Sequence, residues 1–429
     1  MNYREALEFL ESPSRFSPKL GLERIRAFLK ALGSPENCFP SVLVAGTSGK
    51  GSSCKMIQSV LTKAGYRVGL FTKPHLQSYR ERVAIGDELI SPQDLTRLVE
   101  KVVPAAQLEK PSLGFPTYFE MGVALAFQYF AWKKVDLAVV EVGMGGRLDA
   151  TNVLAPEITG ITEVGFDHME YLGETLAQIA KEKAGIIKPG IPLVLSSQFP
   201  EAMQVLEKRA WELKAPLYFS GSKEISLLSW NLKGQTFNLS GNYGSYEGLF
   251  LPLLGEHQLR NAAFALTVLE LLLKAGYTWS ESHLREGWAH LEWPGRLEVL
   301  SSFPVVAIDG AHNPNKAEAL AQALKKYFRF RKLILVLGVS KDKDFSGILN
   351  NFIPMGPLVI TTQARSERAR PASELKEICE KAGLASEAIP EVKAALFRAL
   401  EIAQDQDLVL VTGSIYVAGE ARDLYFPLE

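Results

Sequence analysis

The sequence predicts an α/β protein in two parts: a parallel-sheet domain with a phosphate-binding loop (a P-loop domain), followed by a smaller Rossmann-like α/β domain. Three observations carry this. Short apolar runs of strand length alternate with helical stretches, the pattern of a parallel sheet covered on both faces. One run feeds a glycine loop with a single lysine, ahead of a helix-forming segment. The alternation breaks once, at Pro294-Gly295, and then resumes. Domains are therefore expected over 1–293 and 294–429, and a chain of 429 residues exceeds one ordinary core.

Taken in order, residues 1–10 read as an amphipathic helix and lack the apolar centre of a signal peptide. Apolar runs at 42–45, 68–71, 137–142, 158–162 and 192–196 predict buried strands, with helices between them, for example over 52–64 and 117–132. Segments 225–232, 235–239 and 246–251 alternate and are split by Lys-Gly and Gly-Asn-Tyr-Gly, which predicts a small antiparallel patch with tight turns. A helix follows over 258–275. Past Pro294, strands are expected at 305–308, 333–337, 358–361 and 408–411. A cleft between two such sheets is where ligands are expected.

Composition narrows the function. Hydrophobic residues make up 47% and charged residues 22%, ordinary for a globular chain. A net charge of −1 gives no nucleic-acid surface and no attraction to an anionic membrane. No run of about 18 uncharged apolar residues is present, so no bilayer span is expected. The three cysteines (Cys38, Cys54, Cys379) lie far apart without metal-ligand spacing and read as reduced thiols of a cytoplasmic protein.

The loop Gly46-Thr47-Ser48-Gly49-Lys50-Gly51-Ser52 brings backbone N–H groups and a helix start to one point, which favours phosphate. Lys50 adds a mobile charge, and Ser52 or Ser53 a hydroxyl for a metal. The general phosphate-loop pattern would have glycine at Val44 and Ser or Thr at Gly51, so a plain strand-to-helix turn remains the alternative. Glu141, at a strand end beside this loop, suits Mg²⁺, which prefers oxygen donors; the alternative is an acid capping a turn. Asp167-His168 follows another strand, but a lone histidine is more often structural. Lys181-Glu182-Lys183-Ala-Gly reads by pattern as a solvated helix end with a glycine stop. In the second domain, Asp309-Gly-Ala-His312-Asn-Pro joins acid and imidazole on one strand-to-helix turn, facing a ligand or simply starting a helix. Arg296 stands at the junction, within reach of phosphates held by the first domain.

Together these segments resemble folylpolyglutamate synthase and its bifunctional relative dihydrofolate synthase, among the Mur-ligase-like ATP-dependent amide ligases. The matching stretches are GTSGKGS (46–52), PHL with RERV (74–83), FE (119–120), EVGMGGRLDATN (141–152), DH (167–168), EKAGI (182–186), GEHQLRNA (255–262), PGR (294–296) and DGAHNP (309–314). The resemblance implies that Lys50 and the loop amides hold ATP phosphates, that Ser52 and Glu141 serve Mg²⁺, and that His168 helps bind a second metal. It implies that Lys183 is carried as a carbamate, an anion able to approach magnesium, against the pattern reading of that segment. Asn261 and Arg296 would contact the nucleotide, and Asp309 and His312 would face the ATP and glutamate region.

Two positions depart from the family pattern: Ser48 stands where asparagine is usual, and Lys73 where a serine near the first metal is usual. An ammonium cannot ligate Mg²⁺; it either points away or lies against a phosphate. The implied reaction transfers the γ-phosphoryl of ATP to a pterin carboxylate, dihydropteroate or a reduced folate, and L-glutamate then attacks. Residues 117–120 and 78–82 are expected near the folate, with aromatics stacking on the pterin unless Tyr118 and Phe119 are core. A cytoplasmic monomer acting on small molecules is expected. The rivals are an amide ligase with another acceptor, disfavoured by Gly51 and Pro74-His-Leu, and a non-catalytic ATP-binding regulator, whose only support is Lys73.

Overall fold

The computed structural model describes residues 1–11, 21–107, 114–220 and 224–428. An N-terminal domain is built on an eight-stranded sheet in the spatial order Glu88–Leu89, Val83–Ile85, Val68–Phe71, Leu137–Glu141, Ser41–Ala45, Ile158–Ile161, Leu193–Leu195, Leu217–Phe219. All neighbours run parallel except the two short strands at the first edge. The central strand is a continuous apolar run, and Val42, Leu43, Val44 and Ala45 are fully buried. A strand with both faces covered reads as such a run, and each buried Val or Leu contributes about 1.5–3 kcal/mol.

Chain leaving Ser41–Ala45 next joins the sheet on one side, at Val68–Phe71; chain leaving its neighbour Ile158–Ile161 next joins on the other, at Leu193–Leu195. The two connections diverge and open a crevice at the carboxyl ends of these strands, the place where open parallel sheets bind ligands. The helix Lys50–Lys63 rises from this point and packs against Glu256–Lys274 and Glu281–Ala289. The antiparallel patch forms as expected from Ile225–Asn231, Gly234–Ser240 and Ser245–Leu251.

A second α/β domain holds a six-stranded sheet ordered Glu298–Ser302, Val305–Ile308, Leu408–Thr412, Leu333–Leu337, Leu358–Gln363, Ser386–Glu391, parallel except for its first strand. Its four central strands are the four apolar runs of the sequence. The two edge strands escaped the apolar-run reading because they are only partly buried, and Ser386–Glu391 carries Pro390. Edge strands are commonly short, polar or interrupted by proline.

The two domains touch beside the crevice. A Cβ on Gly419 would lie 2.0 Å from the Leu76 carbonyl oxygen, so only glycine permits that approach. Arg422 donates to Gln77 Oε1 at 2.6 Å and to Glu298 Oε1 at 2.9 Å.

Candidate active site

The glycine loop is shaped by its neighbours. Gly46 has φ +144, and a Cβ there would meet Thr162 Oγ1 at 1.8 Å. Gly49 has φ +83, and a Cβ there would meet Asn261 Oδ1 at 2.2 Å. These contacts place Asn261 directly against the loop. The Thr162 hydroxyl donates to the Ser48 carbonyl at 2.7 Å, and Thr47 Oγ1 accepts from the Gly165 amide at 3.0 Å. No side chain caps the helix Lys50–Lys63. Its first amides point into the crevice and favour an anion there.

A Cβ on Gly51 would come within 3.0 Å of the Trp293 ring and 3.1 Å of Glu141 Oε2. A serine or threonine at that position would have to displace one of them, which accounts for the departure from the general loop pattern. It also sets Glu141 beside the start of the helix that carries Ser52; both residues are 4% exposed. Glu141 Oε1 lies 3.8 Å from Lys50 Nζ, and Oε2 accepts from the Lys73 amide at 3.2 Å. Lys50 Nζ donates to the Gly46 carbonyl at 3.1 Å.

Lys183 is 3% exposed and donates to the same Gly46 carbonyl at 2.8 Å, whereas Lys181 is exposed. The pattern reading of a solvated helix end therefore fails for Lys183. Burial, with Lys50 adding to it, brings its ammonium down to about 7. The segment 141–152 explains how it gets there. A Cβ on Gly146 would meet the carbonyls of Glu182 and Lys183 at 2.9 and 3.0 Å, so a bare backbone lets the helix Leu176–Lys183 approach. The Arg147 amide donates to the Glu182 carbonyl at 2.8 Å, and Asn152 Nδ2 to the Gly185 carbonyl at 3.0 Å. Asp149 accepts from Met144 and Thr151 amides and holds the turn closed. Most of this motif thus positions Lys183.

His168 stands in a left-handed conformation, φ +51, with its side chain 39% exposed at the crevice rim. Desolvation outweighs its neighbour Asp167 and lowers its imidazole to about 4, so it is neutral at pH 7. Burial opposes ionisation of Asp167, but His168, Lys316, His312 and Lys343 outweigh it and hold the carboxyl at about 2. A Cβ on Gly165 would lie 3.9 Å from both Asn315 Nδ2 and Thr47 Cγ2, so the second domain faces the first across the crevice.

There, Asp309 accepts from the Leu297 and Ala311 amides, each at 2.8 Å, and so ties the junction carrying Arg296 to the turn at 309–314. A Cβ on Gly310 would lie 3.1 Å from Arg296 Nη1. His312 Nδ1–H donates to the Gly310 carbonyl at 2.8 Å, leaving Nε2 to accept from Lys316 Nζ at 3.1 Å. Burial with Lys316 lowers His312 to about 3, and burial lowers Lys316 to about 7. Sequence reasoning missed Lys316; its spacing of four from His312 on a helix start was the available signal.

Beside the crevice, Arg82 lies over the rings of Tyr79 (5.3 Å) and Tyr118 (5.0 Å) and donates to His75 Nδ1 at 2.9 Å. Tyr416 of the second domain packs against His75. Phe119 instead fills the space over Gly143. Glu120 pairs with Arg24 at 2.7 Å with both side chains nearly buried, a structural ion pair.

With this geometry in view, the chain was compared with known proteins. Residues 44–269 match the Mur ligase middle domain and residues 295–415 the Mur ligase glutamate ligase domain. The dihydrofolate synthase/folylpolyglutamate synthase of Bacillus subtilis is 35% identical, over 98% of each chain. That of Mycobacterium tuberculosis is 37% identical over 96% of this chain and 91% of the relative. The chain belongs to the folylpolyglutamate and dihydrofolate synthase family of Mur ligases. The crystal structure of the Mycobacterium tuberculosis folylpolyglutamate synthase complexed with ADP and AMPPCP matches with a TM-score of 0.90 at 36% identity, covering 99% of both chains. The family's two-domain α/β architecture is the one described above.

Proposed function

We propose that this protein ligates L-glutamate to the carboxylate of dihydropteroate or of a reduced folate, at the expense of ATP. The observation that carries the reading is the convergence of Lys50, Lys183 and Glu141 on the uncapped glycine turn, opposite His312, Lys316 and Arg296. A cleft so rich in cations suits a triphosphate, and the names of the full-length relatives supply the acceptor and the amino acid.

A carboxylate resists an amine because it is anionic and has no good leaving group. Transfer of the γ-phosphoryl gives an acyl phosphate and ADP. The glutamate amine then attacks the acyl carbon, and phosphate leaves as the amine loses a proton. In this reading Gly46, Thr47, Ser48, Gly49, Gly51 and Ser52 wrap the phosphates with their backbone, and Lys50 neutralises the transferring group. Asn261 and Arg296 hold the nucleotide from either side. Asp309 fixes the turn that presents His312, and the approach of the two domains excludes water from the intermediate.

Among the described residues no three His, Cys, Asp or Glu side chains form a metal cage. Mg²⁺ keeps several waters and shares its shell with phosphates. In this reading Ser52 and Glu141 would supply its oxygen donors and His168 would serve a second ion; bound there, Mg²⁺ would offset phosphate charge. Lys183, brought near neutral, has a free amine able to add CO₂ and release a proton, which would give the carbamate. The Tyr79–Arg82–Tyr118 group is the site assigned to the pterin. We place the domain division at 293/294 and the enzyme in the cytoplasm as a monomer.

The test is direct. Purified protein with ATP, Mg²⁺, radiolabelled glutamate and either dihydropteroate or tetrahydrofolate should incorporate label, and the two acceptors tell first-glutamate addition from chain extension. ATP binding without incorporation on any pterin would indicate a regulator.

A further inference from the structure

Lys73 is a cation at the crevice that the reaction above does not use. It follows the strand Val68–Phe71, whose Phe71 pairs with Val140, so residue 73 lies alongside the end of Leu137–Glu141. Its backbone is fastened there by the amide donated to Glu141 Oε2 at 3.2 Å. Its side chain is half-buried, yet among the described residues its ammonium has no ion-pair partner. Glu141, whose carboxylate takes the Lys73 amide, is already approached by Lys50 at 3.8 Å. The charge of Lys73 acts on Lys183 and His168 of the first domain and on Lys316 of the second. Glu141 Oε2, which holds the Lys73 amide, also lies 3.1 Å from where a Cβ of Gly51 would sit, so residue 73 stands beside the glycine turn.

An unpaired ammonium among other lysines is costly unless an anion joins it. The lysines of this wall are matched by Glu141, Asp149 and Asp167, and the uncapped amides of residues 50–52 add further positive charge. The anion that fits is the end of a polyphosphate whose inner phosphates lie on the glycine turn.

We propose that Lys73 is a phosphate-binding residue that contacts the terminal phosphate of the nucleotide and supplies part of the neutralisation otherwise left to a divalent cation. The proposal rests on the reading that the glycine turn binds ATP. It assigns this chain a nucleotide affinity that depends less on Mg²⁺ than it would with a neutral side chain at position 73.

The experiment is calorimetric titration of the full chain with AMPPCP and with ADP, in excess Mg²⁺ and in EDTA, for the wild type and for Lys73→Ser, Lys73→Met and Lys73→Arg. In EDTA, Lys73→Ser and Lys73→Met should each bind AMPPCP about tenfold more weakly than the wild type, the loss of one charge-assisted contact. Lys73→Arg should recover most of that loss. The loss should be smaller for ADP, which lacks the terminal phosphate, and smaller for Lys73→Ser once Mg²⁺ is added. Melting curves establish that each variant is folded. Equal AMPPCP affinity in EDTA for the wild type and all three folded variants would overturn the proposal. Absence of nucleotide binding by the wild type in both buffers would instead overturn the ATP reading beneath it.

Discussion

Two strand-to-helix turns face each other across the crevice, and they are built in opposite ways. At 46–52 the chain enters a helix through Gly49 with no side-chain cap, so the helix start stays open. At 309–314 Asn313 caps the following helix Pro314–Tyr327, its side chain accepting from the Lys316 amide at 2.9 Å, and Pro314 removes one donor. The first turn offers backbone to an anion. The second has closed its own backbone and offers side chains, His312 and Lys316. An open helix start binds phosphate wherever the chain can place it, whereas a capped one can only orient what its side chains reach.

The largest effect should come from the open turn. Lys50→Ala should lower turnover by roughly 10²–10³-fold, the usual cost of removing a preorganised charge from the transferring group. Its melting temperature should stay near the wild type. A loss below about threefold in a steady-state assay would remove Lys50 from the chemistry and blur the contrast between the turns.

Lys183 gives the next test. Its folded pKa of about 7 lies below the ordinary lysine value, so between those two values the unfolded chain binds the extra proton. Stability should therefore rise with pH from about 7 upward, by on the order of a few kcal/mol at most. Urea titrations across that range should show a steeper climb for the wild type than for Lys183→Met. A carbamate binds no such proton either, so saturating bicarbonate should leave the wild-type climb above pH 7 in place and extend it below pH 7. Parallel curves for the two proteins in both buffers would place Lys183 outside this linkage.

Smaller effects separate the turns further. Gly49→Ala forces an L side chain to φ +83 and against Asn261, costing about 1–2 kcal/mol. Nucleotide affinity should fall with it, as calorimetry would show. Asn313→Ala should cost about 1 kcal/mol of stability in urea unfolding, the value of a helix cap, with nucleotide affinity within about twofold. An Asn313→Ala protein that lost nucleotide as severely as Gly49→Ala would mean that the two turns act alike.

Much of this was legible in the sequence because buried parallel strands are apolar runs, and those runs reach the structure almost unchanged. The glycine loop was legible too, since backbone angles and close approach leave a glycine signature. Lys183 was not: in the sequence it is one charge beside Lys181 and Glu182, and its burial depends on Gly146 and Asn152, which lie far off in the chain. Only the resemblance pointed to it. Lys316 was missed because a lysine near a helix start looks like solvated surface until the first domain is laid against it. Glu120 gave the reverse lesson: a matching acid whose geometry is that of a buried pair with Arg24.

The central claim is that the open turn receives the triphosphate. A crystal grown with Mg²⁺ and a non-hydrolysable ATP analogue measures this most directly. The phosphates should lie on the amides of residues 49–52 and within reach of Lys50, opposite His312 and Lys316. An ordered analogue whose phosphate tail lay away from that turn would contradict the account.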